Sequence, residues 1–312
     1  MRILITGGAG FIGSNLVEHI NFRLPDAEVC VLDDFSTGLR SNLEHARCQT
    51  VTASVLDDDA LAESMFGADS VVHLAALGSV ARSISDPRAT HEANATGTLR
   101  VMEMAKRCSV TNVVVASSSS VYGGNPVMPK SERDWTNPLS PYAASKLASE
   151  SYALSFAASY GMKVLAFRFF NVFGPRQRAD SQYAAVVPRF IEAALAGEPL
   201  TIYGDGGQSR DFTYVGSVVD ALVSACERGV AHPTPVNLAF GSNTTLNELV
   251  KSLGQVVGKE LETVFEKVRP GDVRASRADS KTFLQLFPNV ESVDLQAALA
   301  VAVRHHQEYN RF

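Results

Sequence analysis

Short apolar segments recur along the first half of the chain, each followed by a stretch long enough for a helix. They read RILITG at 2–7, EVCVLD at 28–33, SVVHLAA at 70–76, NVVVAS at 112–117 and KVLAFRFF at 163–170. Strands that alternate with helices are typical of βαβ units, and continuous apolar runs indicate strands buried on both faces. The pattern therefore predicts an α/β protein with a doubly wound parallel sheet.

Helical periodicity fills gaps between these segments, for example at 97–108 and 142–161. After residue 170 loops become frequent, but a helical pattern at 217–229 and an apolar run at 235–240 repeat the earlier rhythm. We expect both to return to the main sheet, which makes the second domain discontinuous. The predicted bounds are 1–171 with 213–240 for the sheet (Rossmann) domain, and 172–212 with 241–312 for a smaller C-terminal domain.

Composition narrows the class of protein. The 312 residues are 46% hydrophobic and carry a formal charge of -5, with a pI near 5.8. Nucleic-acid binding needs a basic surface, so we expect no DNA or RNA partner. The chain has no apolar run that would cross a bilayer and opens without a signal-peptide pattern, which predicts a cytoplasmic protein with no membrane partner.

The cysteines and histidines indicate no metal site. Cys30, Cys48, Cys108 and Cys226 lack CxxC spacing, and the seven histidines form no HExxH motif. We expect reduced thiols, with Cys30 buried because it lies inside an apolar run.

Four glycines, Gly7, Gly8, Gly10 and Gly13, stand between the first predicted strand and an amphipathic helix in ITGGAGFIGSNLVEHI. Glycines at such a turn let backbone N–H groups approach a pyrophosphate, whose charge the helix N-terminus favours. Asp33 follows 20 residues after Gly13, at the end of the next strand. A carboxylate there accepts hydrogen bonds from the adenosine ribose and repels a 2′-phosphate, so the pattern predicts NAD rather than NADP.

The segment VVVASSSSVYGG at 113–124 ends a predicted strand in four serines, Ser117 to Ser120. Serine clusters are ordinary loops, but the carboxyl ends of parallel strands are also where ligands bind. SPYAASK places Tyr142 and Lys146 four residues apart, on one helix face. A tyrosine acts as a general base only when its pKa falls from roughly 10 toward 7, and a neighbouring ammonium and the nicotinamide cation are suitable causes.

Together these motifs resemble the extended short-chain dehydrogenase/reductase family, and within it the NAD-dependent nucleotide-sugar 4-epimerases. The resemblance covers almost the whole chain and is most marked toward bacterial UDP-N-acetylglucosamine 4-epimerases. The matching motifs are TGGAGFIG (6–13), LDD (32–34), HLAA (73–76), SSSSVYG (117–123), SPYAASK (140–146), RFFNVFGPRQ (168–177), GDGGQSRDFTYV (204–215) and RPGDVRASRAD (269–279).

The resemblance implies catalytic roles for Ser118, Tyr142 and Lys146. Tyr142 takes the proton of the sugar 4-hydroxyl while hydride passes from C4 to NAD, Ser118 hydrogen-bonds the same oxygen, and Lys146 holds the nicotinamide ribose. The 4-ketose then rotates about the pyrophosphate linkage and hydride returns to its other face. C4 is thereby inverted without net oxidation, and the cofactor is expected to stay bound through turnover.

The resemblance also implies a set of NAD contacts. They are Gly7, Gly10, Phe11, Ile12, Gly13, Asp33, Asp34, Ser54, Val55, Leu74, Ala75, Ala76, Tyr142 and Lys146. One position departs from the family, since Ser54 in TASVLDD replaces the usual aspartate at the adenine amino group. A serine oxygen still accepts that hydrogen bond, but without a charge it should hold adenine less firmly.

For the substrate, Asn171, Arg210 and Arg269 match contacts to the diphosphate, which suits a planar guanidinium. Asp272 matches a contact to the uridine ribose, and Tyr203 lies where an aromatic residue accompanies uracil. The full set of implied substrate residues is Gly78, Ser79, Ser118, Ser119, Ser120, Tyr142, Asn171, Val187, Tyr203, Arg210, Arg269, Asp272 and Ser276.

Two features bear on the reaction and the sugar. Ser119 and Ser120 stand where related dehydratases and decarboxylases carry an acid, so epimerisation is expected. Ser276 stands where epimerases confined to non-acetylated sugars carry tyrosine, and a small residue leaves room for an acetyl group. The expected substrates are UDP-N-acetylglucosamine and UDP-N-acetylgalactosamine, with UDP-glucose and UDP-galactose as further candidates.

Alternatives stay open at this point. A UDP-glucuronic acid 4-epimerase would need a polar cradle for the carboxylate, for which Arg176 and Arg178 are candidates. Another nucleotide-sugar-modifying short-chain dehydrogenase is a second alternative, and a non-catalytic NAD sensor would be expected to lose the Tyr-Lys pair. The alanine- and serine-rich helix at 142–161 fits an internal helix or a dimer face, and the resemblance implies a homodimer through it and 97–108.

Overall fold

The predicted strands and helices form, and several short strands join them. The computed structural model describes residues 1–180, 184–268 and 273–309. The strands are β1 (Arg2–Thr6), β2 (Glu28–Asp33), β3 (Gln49–Thr52), β4 (Ser70–His73), β5 (Asn112–Ser118), β6 (Lys163–Phe169), β7 (Val172–Phe173), β8 (Leu200–Tyr203), β9 (Ser209–Arg210), β10 (Thr213–Tyr214), β11 (Val236–Leu238), β12 (Thr244–Thr245), β13 (Thr263–Glu266) and β14 (Ala275–Ser276). The helices are α1 (Phe11–Arg23), α2 (Asp58–Met65), α3 (Val80–Ser85), α4 (Pro87–His91), α5 (Gly97–Arg107), α6 (Pro141–Tyr160), α7 (Val186–Ala196), α8 (Val215–Arg228), α9 (Leu246–Val257), α10 (Lys281–Leu286) and α11 (Leu295–Tyr309).

Seven strands form one parallel sheet in the order β11-β6-β5-β4-β1-β2-β3. β1 pairs with β2 on one side and with β4 on the other, so the chain winds outward in both directions from the middle of the sheet. The predicted doubly wound α/β fold is confirmed, including the return of the 235–240 run as β11 beside β6. The point where the winding reverses opens a crevice at the carboxyl ends of the strands, where α/β proteins bind ligands.

The sheet has an apolar core on each face. In β1, Ile3 and Ile5 pack into the cluster that contains α1 and α8, whereas Leu4 packs into the cluster that contains α2, α5 and α6. Successive side chains of a strand point to opposite faces, so a strand covered on both sides needs apolar residues at every position. This requirement explains the continuous apolar runs in the sequence.

A third apolar cluster lies outside the main sheet. It is formed by α7, β8, α9 and α11, with Phe190, Leu249 and Leu299 among its buried members. Small sheets accompany it, in which β9 pairs with β12 and β14 and β8 pairs with β13. The division into two domains and the bounds of each stay a prediction.

Asp211 ties these C-terminal segments to the main sheet. Its buried carboxylate accepts hydrogen bonds from the backbone N–H groups of Gly241 (3.0 Å), Ser242 (3.1 Å) and Ala278 (3.1 Å). The loop after β11 and the segment after β14 are thereby held at one point. The RDF sequence therefore has a structural role as well as carrying Arg210.

One strand ends earlier than the apolar run predicts, because side chains divert the chain. β4 ends at His73, and Leu74 still donates its N–H to the Thr6 carbonyl at 3.0 Å. Three residues later, Leu77 N–H donates a hydrogen bond to the side-chain Oδ1 of Asn94 at 2.8 Å rather than to a neighbouring strand. Residues 74–79 consequently leave the sheet and become part of the ligand crevice.

The four cysteines are free, and burial raises the pKa of the Cys226 thiol to about 12. Within the three described ranges, no group of three or more His, Cys, Asp or Glu side chains is placed to hold a metal ion. None of the helices in those ranges is long and apolar enough to cross a membrane.

Candidate active site

A cavity of about 1630 Å³ runs along the carboxyl ends of the main-sheet strands. Typical ligand pockets measure roughly 300–1,000 Å³, so this one has room for two ligands side by side. The predicted site residues that line it are Gly7, Gly10, Phe11, Ile12, Gly13, Asp33, Asp34, Ser54, Val55, Leu74, Ala75, Ala76, Gly78, Ser79, Ser118, Ser119, Ser120, Tyr142, Lys146, Asn171, Arg210 and Ser276.

Two predicted substrate residues, Val187 and Tyr203, are not among the residues that line the cavity. Val187 lies in the first turn of α7, is 3% exposed and packs in the C-terminal core instead of reaching the cavity. The apolar packing of α7 explains this, since its buried face must cover β8. Tyr203 ends β8 and is not among the described lining residues. Arg269 and Asp272 lie outside the described residues.

The turn between β1 and α1 is shaped for close approach. Gly7 has a φ of +73°, and a Cβ there would lie 2.6 Å from the Ala75 nitrogen. A side chain on Gly13 would collide with the backbone of the same turn. α1 begins at Phe11 with no side-chain cap from Gly10, so the N–H groups of its first turn are available at the cavity wall. Such a helix N-terminus suits a pyrophosphate.

Asp33, at the end of β2, is held by the backbone. Its carboxylate accepts from Ala9 N–H at 2.9 Å and from Phe35 N–H at 2.8 Å. Burial raises the pKa of Asp33 above its usual value, against the opposing effect of these two hydrogen bonds. Each carboxylate oxygen has a further lone pair, so the group can also accept from ribose hydroxyls. Nearby, the Ser54 Oγ accepts from Leu56 N–H at 3.2 Å.

Ser118 and Tyr142 meet in the cavity. Ser118 is the last residue of β5, and its Oγ accepts hydrogen bonds from Ser120 N–H at 3.2 Å and from Ser120 Oγ at 2.9 Å. Its own hydrogen is thus available to another partner. Tyr142 lies in the first turn of α6 and shares a hydrogen bond with Ser118. The serine row and the Tyr-Lys motif therefore form one site.

Lys146 lies one turn after Tyr142 and is buried. Its Nζ donates to the Ala116 carbonyl at 2.9 Å, which fastens α6 to β5. Burial lowers the pKa of Lys146 to about 8. An ammonium has three N–H donors, so the group keeps donors for a ligand.

The pKa of Tyr142 departs from the sequence-based expectation. Burial raises the pKa of Tyr142 above its ordinary value of 10.0, and the hydrogen bond with Ser118 opposes this rise. The Lys146 ammonium donates one of its hydrogens to the Ala116 carbonyl. Within the part of the chain that the structure describes, Ser118 is the neighbour whose hydrogen bond lowers the pKa of Tyr142.

The C-terminal segments form the facing wall. Arg210 on β9 is paired in register with Ser276 on β14, and both line the cavity. Asn171 Nδ2 donates to the Asp211 carbonyl at 3.2 Å, which joins the end of β6 to the segment that carries Arg210. The predicted nucleotide contacts thus converge on one side of the cavity.

Sequence reasoning missed several lining residues, among them Lys130 and Arg274. Lys130 N–H donates to the Arg277 carbonyl and its carbonyl accepts from Asp279 N–H, both at 2.8 Å. This pairing brings the loop before α6 beside Ser276. It joins segments far apart in the chain, and no local pattern signals it.

Comparison with known proteins settles the family. A model of the NAD dependent epimerase/dehydratase family matches residues 3–239. The chain belongs to this family. One curated relative in the epimerase/dehydratase family, the UDP-glucose 4-epimerase of Mycolicibacterium smegmatis, is 40% identical over 289 residues, which are 90% of each protein.

Solved structures of epimerases have the same fold. The UDP-N-acetylglucosamine 4-epimerase of Methanobrevibacter ruminantium M1, in complex with UDP-N-acetylmuramic acid, is 36% identical with a TM-score of 0.93, over 99% of this chain and 98% of that one. The UDP-glucuronic acid 4-epimerase of Bacillus cereus, in complex with UDP-glucuronic acid and NAD, is 28% identical with a TM-score of 0.90, over 99% of this chain and 100% of that one.

NAD is the cofactor of this epimerase/dehydratase family member. The residues present fit it, because the turn at Gly7 and Gly13 leaves no space for side chains, α1 offers uncapped N–H groups, and Asp33 retains acceptor capacity.

Proposed function

We propose that the protein is a UDP-sugar 4-epimerase whose main substrates are UDP-N-acetylglucosamine and UDP-N-acetylgalactosamine, and which also accepts UDP-glucose and UDP-galactose. The observation that carries the proposal is the hydrogen-bonded pair of Ser118 and Tyr142 beside the buried Lys146. Such a pair can move a proton to and from a sugar hydroxyl. Its neighbours Ser119 and Ser120 are neutral, so the segment offers no acid for an elimination.

The residues divide the work as follows. Tyr142 takes the proton of the 4-hydroxyl and returns it after C4 has changed configuration. Ser118, whose Oγ already accepts from Ser120, has one hydrogen to donate: in the free site it favours the Tyr142 phenolate, and with substrate bound it would go to the sugar oxygen. Lys146 would hold the nicotinamide ribose with the N–H donors that Ala116 leaves. NAD supplies an acceptor for the C4 hydride and gives the hydride back.

Epimerisation also requires that the sugar ring rotate to present its other face while the nucleotide stays bound. On the nucleotide side, Arg210 and Asn171 are fixed by strand pairing and by the Asp211 carbonyl. Small hydroxyl side chains, including those of Ser119 and Ser276, also line the cavity, and we assign them to the sugar. A firm hold at one end and small neighbours at the other support rotation between two half-reactions.

Two observations support an acetylated sugar. Ser276 lines the cavity and has a much smaller side chain than tyrosine, which leaves room for an acetamido group. The M. ruminantium structure that this chain resembles is, by its name, a UDP-N-acetylglucosamine 4-epimerase.

A UDP-uronic acid is the second candidate, since the B. cereus neighbour acts by its name on UDP-glucuronic acid. Arg176 and Arg178 do line the cavity. However, Arg176 is paired with Glu18 at 2.6 Å, and Arg178 with Asp180 at 2.7 and 2.8 Å. Each cation already has a carboxylate partner, so the pair is a poor cradle for the carboxylate of a uronic acid.

The proposal is tested by incubating the protein with each UDP-sugar and separating the epimers by chromatography. We expect conversion of UDP-N-acetylglucosamine, and little or none of UDP-glucuronic acid. Tyr142→Phe is the matched control: it should fold and bind NADH but lose nearly all turnover, because the proton acceptor is gone. Conversion of UDP-glucuronic acid alone would refute the substrate assignment, and full activity of Tyr142→Phe would refute the mechanism.

We further propose a homodimer in which α5 and α6 meet their counterparts. These helices pack on each other through their buried faces. The outward face of α6 carries Ala144, Ala148 and Tyr152, two small residues and an exposed aromatic ring on one stripe. A self-complementary surface of this kind suits a two-fold interface.

A further inference from the structure

A buried ion pair lies beneath the serine row, and the mechanism above gives it no part. Glu150 on α6 and Arg168 on β6 are each 3% exposed. Arg168 donates from Nη2 to Glu150 Oε1 at 2.6 Å and from Nε to Glu150 Oε2 at 2.9 Å. This bidentate geometry fixes the orientation of both groups.

The ion pair is linked to the proposed catalytic residues through α6 and β5. Glu150 follows Tyr142 and Lys146 at intervals of four, so the three lie on one face of α6. Glu150 Oε2 also accepts from Ser117 Oγ at 2.8 Å, while Lys146 donates to the carbonyl of Ala116. α6 is therefore fastened to β5 at two consecutive residues, directly before Ser118.

The other end of the pair holds the turn that follows. Arg168 is the register partner of Ser117, and its guanidinium lies 4.6 Å from the centre of the Tyr122 ring. Tyr122 ends the helical turn that starts at Ser119, and its hydroxyl donates to Asn237 Oδ1 on β11 at 2.6 Å. The residues on either side of the turn from Ser118 to Tyr122 are thus fixed by one buried network.

We propose that Glu150 and Arg168 are positioning residues, which hold Ser118 and Tyr142 at the separation that the reaction needs. The inference rests on the proposed 4-epimerase function. Stability alone is a weak reason for such a pair, since apolar residues of the same volume often replace buried ion pairs without loss. What an apolar pair cannot supply is a fixed direction for the Ser117 hydroxyl and hence for the end of β5.

The mildest test is Ser117→Ala, which leaves the ion pair intact and removes only its link to β5. With the UDP-sugar that the wild type converts, we expect kcat to fall about tenfold, with KM and NADH affinity unchanged, because small displacements of reacting groups reduce rate strongly. Ser217→Ala is the matched control, since Ser217 is a buried serine that donates to the Glu291 carbonyl at 2.7 Å, away from the cavity. The control should keep the wild-type kcat.

The stronger test is Glu150→Gln, whose neutral amide no longer balances Arg168 and so no longer holds the acceptor of the Ser117 hydroxyl in a fixed direction. We expect kcat to fall on the order of 100-fold, at a temperature where circular dichroism shows the fold intact. If both changes act through the hydrogen bond from Ser117 to Glu150, the double variant Ser117→Ala/Glu150→Gln should have the same kcat as Glu150→Gln alone. A purely structural pair would lower the melting temperature and leave kcat unchanged.

The outcomes separate this inference from the function it rests on. An active wild type with an unchanged kcat in Ser117→Ala overturns the positioning role and leaves the epimerase proposal standing. Additive losses of kcat in the double variant also overturn it. A wild type that converts no UDP-sugar overturns the function, and the positioning role with it.

Discussion

Among single residues, Ser118 has one hydrogen and two proposed partners for it. In the free site its hydrogen bond with Tyr142 opposes the rise in the pKa of Tyr142 caused by burial, and with substrate bound the hydrogen would go to the sugar oxygen. A tyrosine acts as base only in its ionised form, so we expect the hydrogen bond between Ser118 and Tyr142 to lower the pH at which the proposed base becomes active.

Ser118→Ala should therefore change both the rate and its pH dependence. We expect kcat to fall roughly 100-fold, and the acid limb of the kcat/KM profile to move to higher pH, because losing this hydrogen bond raises the pKa of Tyr142 in the free enzyme. The measurement is kcat/KM across the stable pH range. Ser118→Thr keeps the hydroxyl and should keep the limb near its wild-type position. An unmoved limb in Ser118→Ala would contradict the assignment.

The residues of the site divide into those with a local pattern and those without one. The glycine turn, Asp33 and the Tyr142–Lys146 spacing are visible in the sequence because each depends on a single turn or helix. The Glu150–Arg168 pair is not visible in the sequence, since it depends on which side chains of α6 and β6 meet in the interior. The hydrogen bond from Lys146 to the Ala116 carbonyl was not visible for the same reason, and the expected effect of Lys146 on the pKa of Tyr142 stays a prediction.

At the level of elements, the start of α6 matters most for chemistry. Ser140 is its N-cap and accepts from Ala143 N–H at 3.1 Å, with Pro141 as the first helical residue. Tyr142 is the next residue, so the cap defines the turn that carries the proposed base.

Ser140→Ala should loosen that first turn. We expect a loss of about 1 kcal/mol in the free energy of unfolding, measured with urea, together with a lower kcat, because Tyr142 becomes less well fixed. Ser140→Asn offers another capping oxygen and should restore most of the stability. If Ser140→Ala is as stable as the wild type, the cap contributes nothing.

Among the elements, those buried on both faces were predicted well and the peripheral ones were not. β1, β2, β4, β5 and β6 all appear as apolar runs, because two cores cover them. β3 was missed, since QTVT is polar and lies largely exposed at the sheet edge. The two-residue strands of the C-terminal part carry no periodicity at all, and form only where distant segments meet.

For the whole molecule, the proposed dimer gives a direct expectation. Light scattering after gel filtration should report twice the chain mass of 33.5 kDa. Ala148→Arg places a charged, bulky side chain on the outward face of α6 and should shift the protein toward monomer. Phe22→Arg, an 86% exposed position on α1, is the control and should stay dimeric. A monomeric wild type would refute the dimer. A dimeric Ala148→Arg would show that the interface does not include this face of α6.

The place of β11 also bears on how the chain is made. β11 pairs with β6, yet the ribosome completes it only after the four short strands β7 to β10 and the helices α7 and α8 have been synthesised. Until then β6 has an unpaired edge, which is a template for wrong pairing. A chain interrupted between Phe169 and Val236 would therefore expose this edge and the apolar surface that α8 covers. We therefore expect quality control in the cell to recognise such a fragment as misfolded.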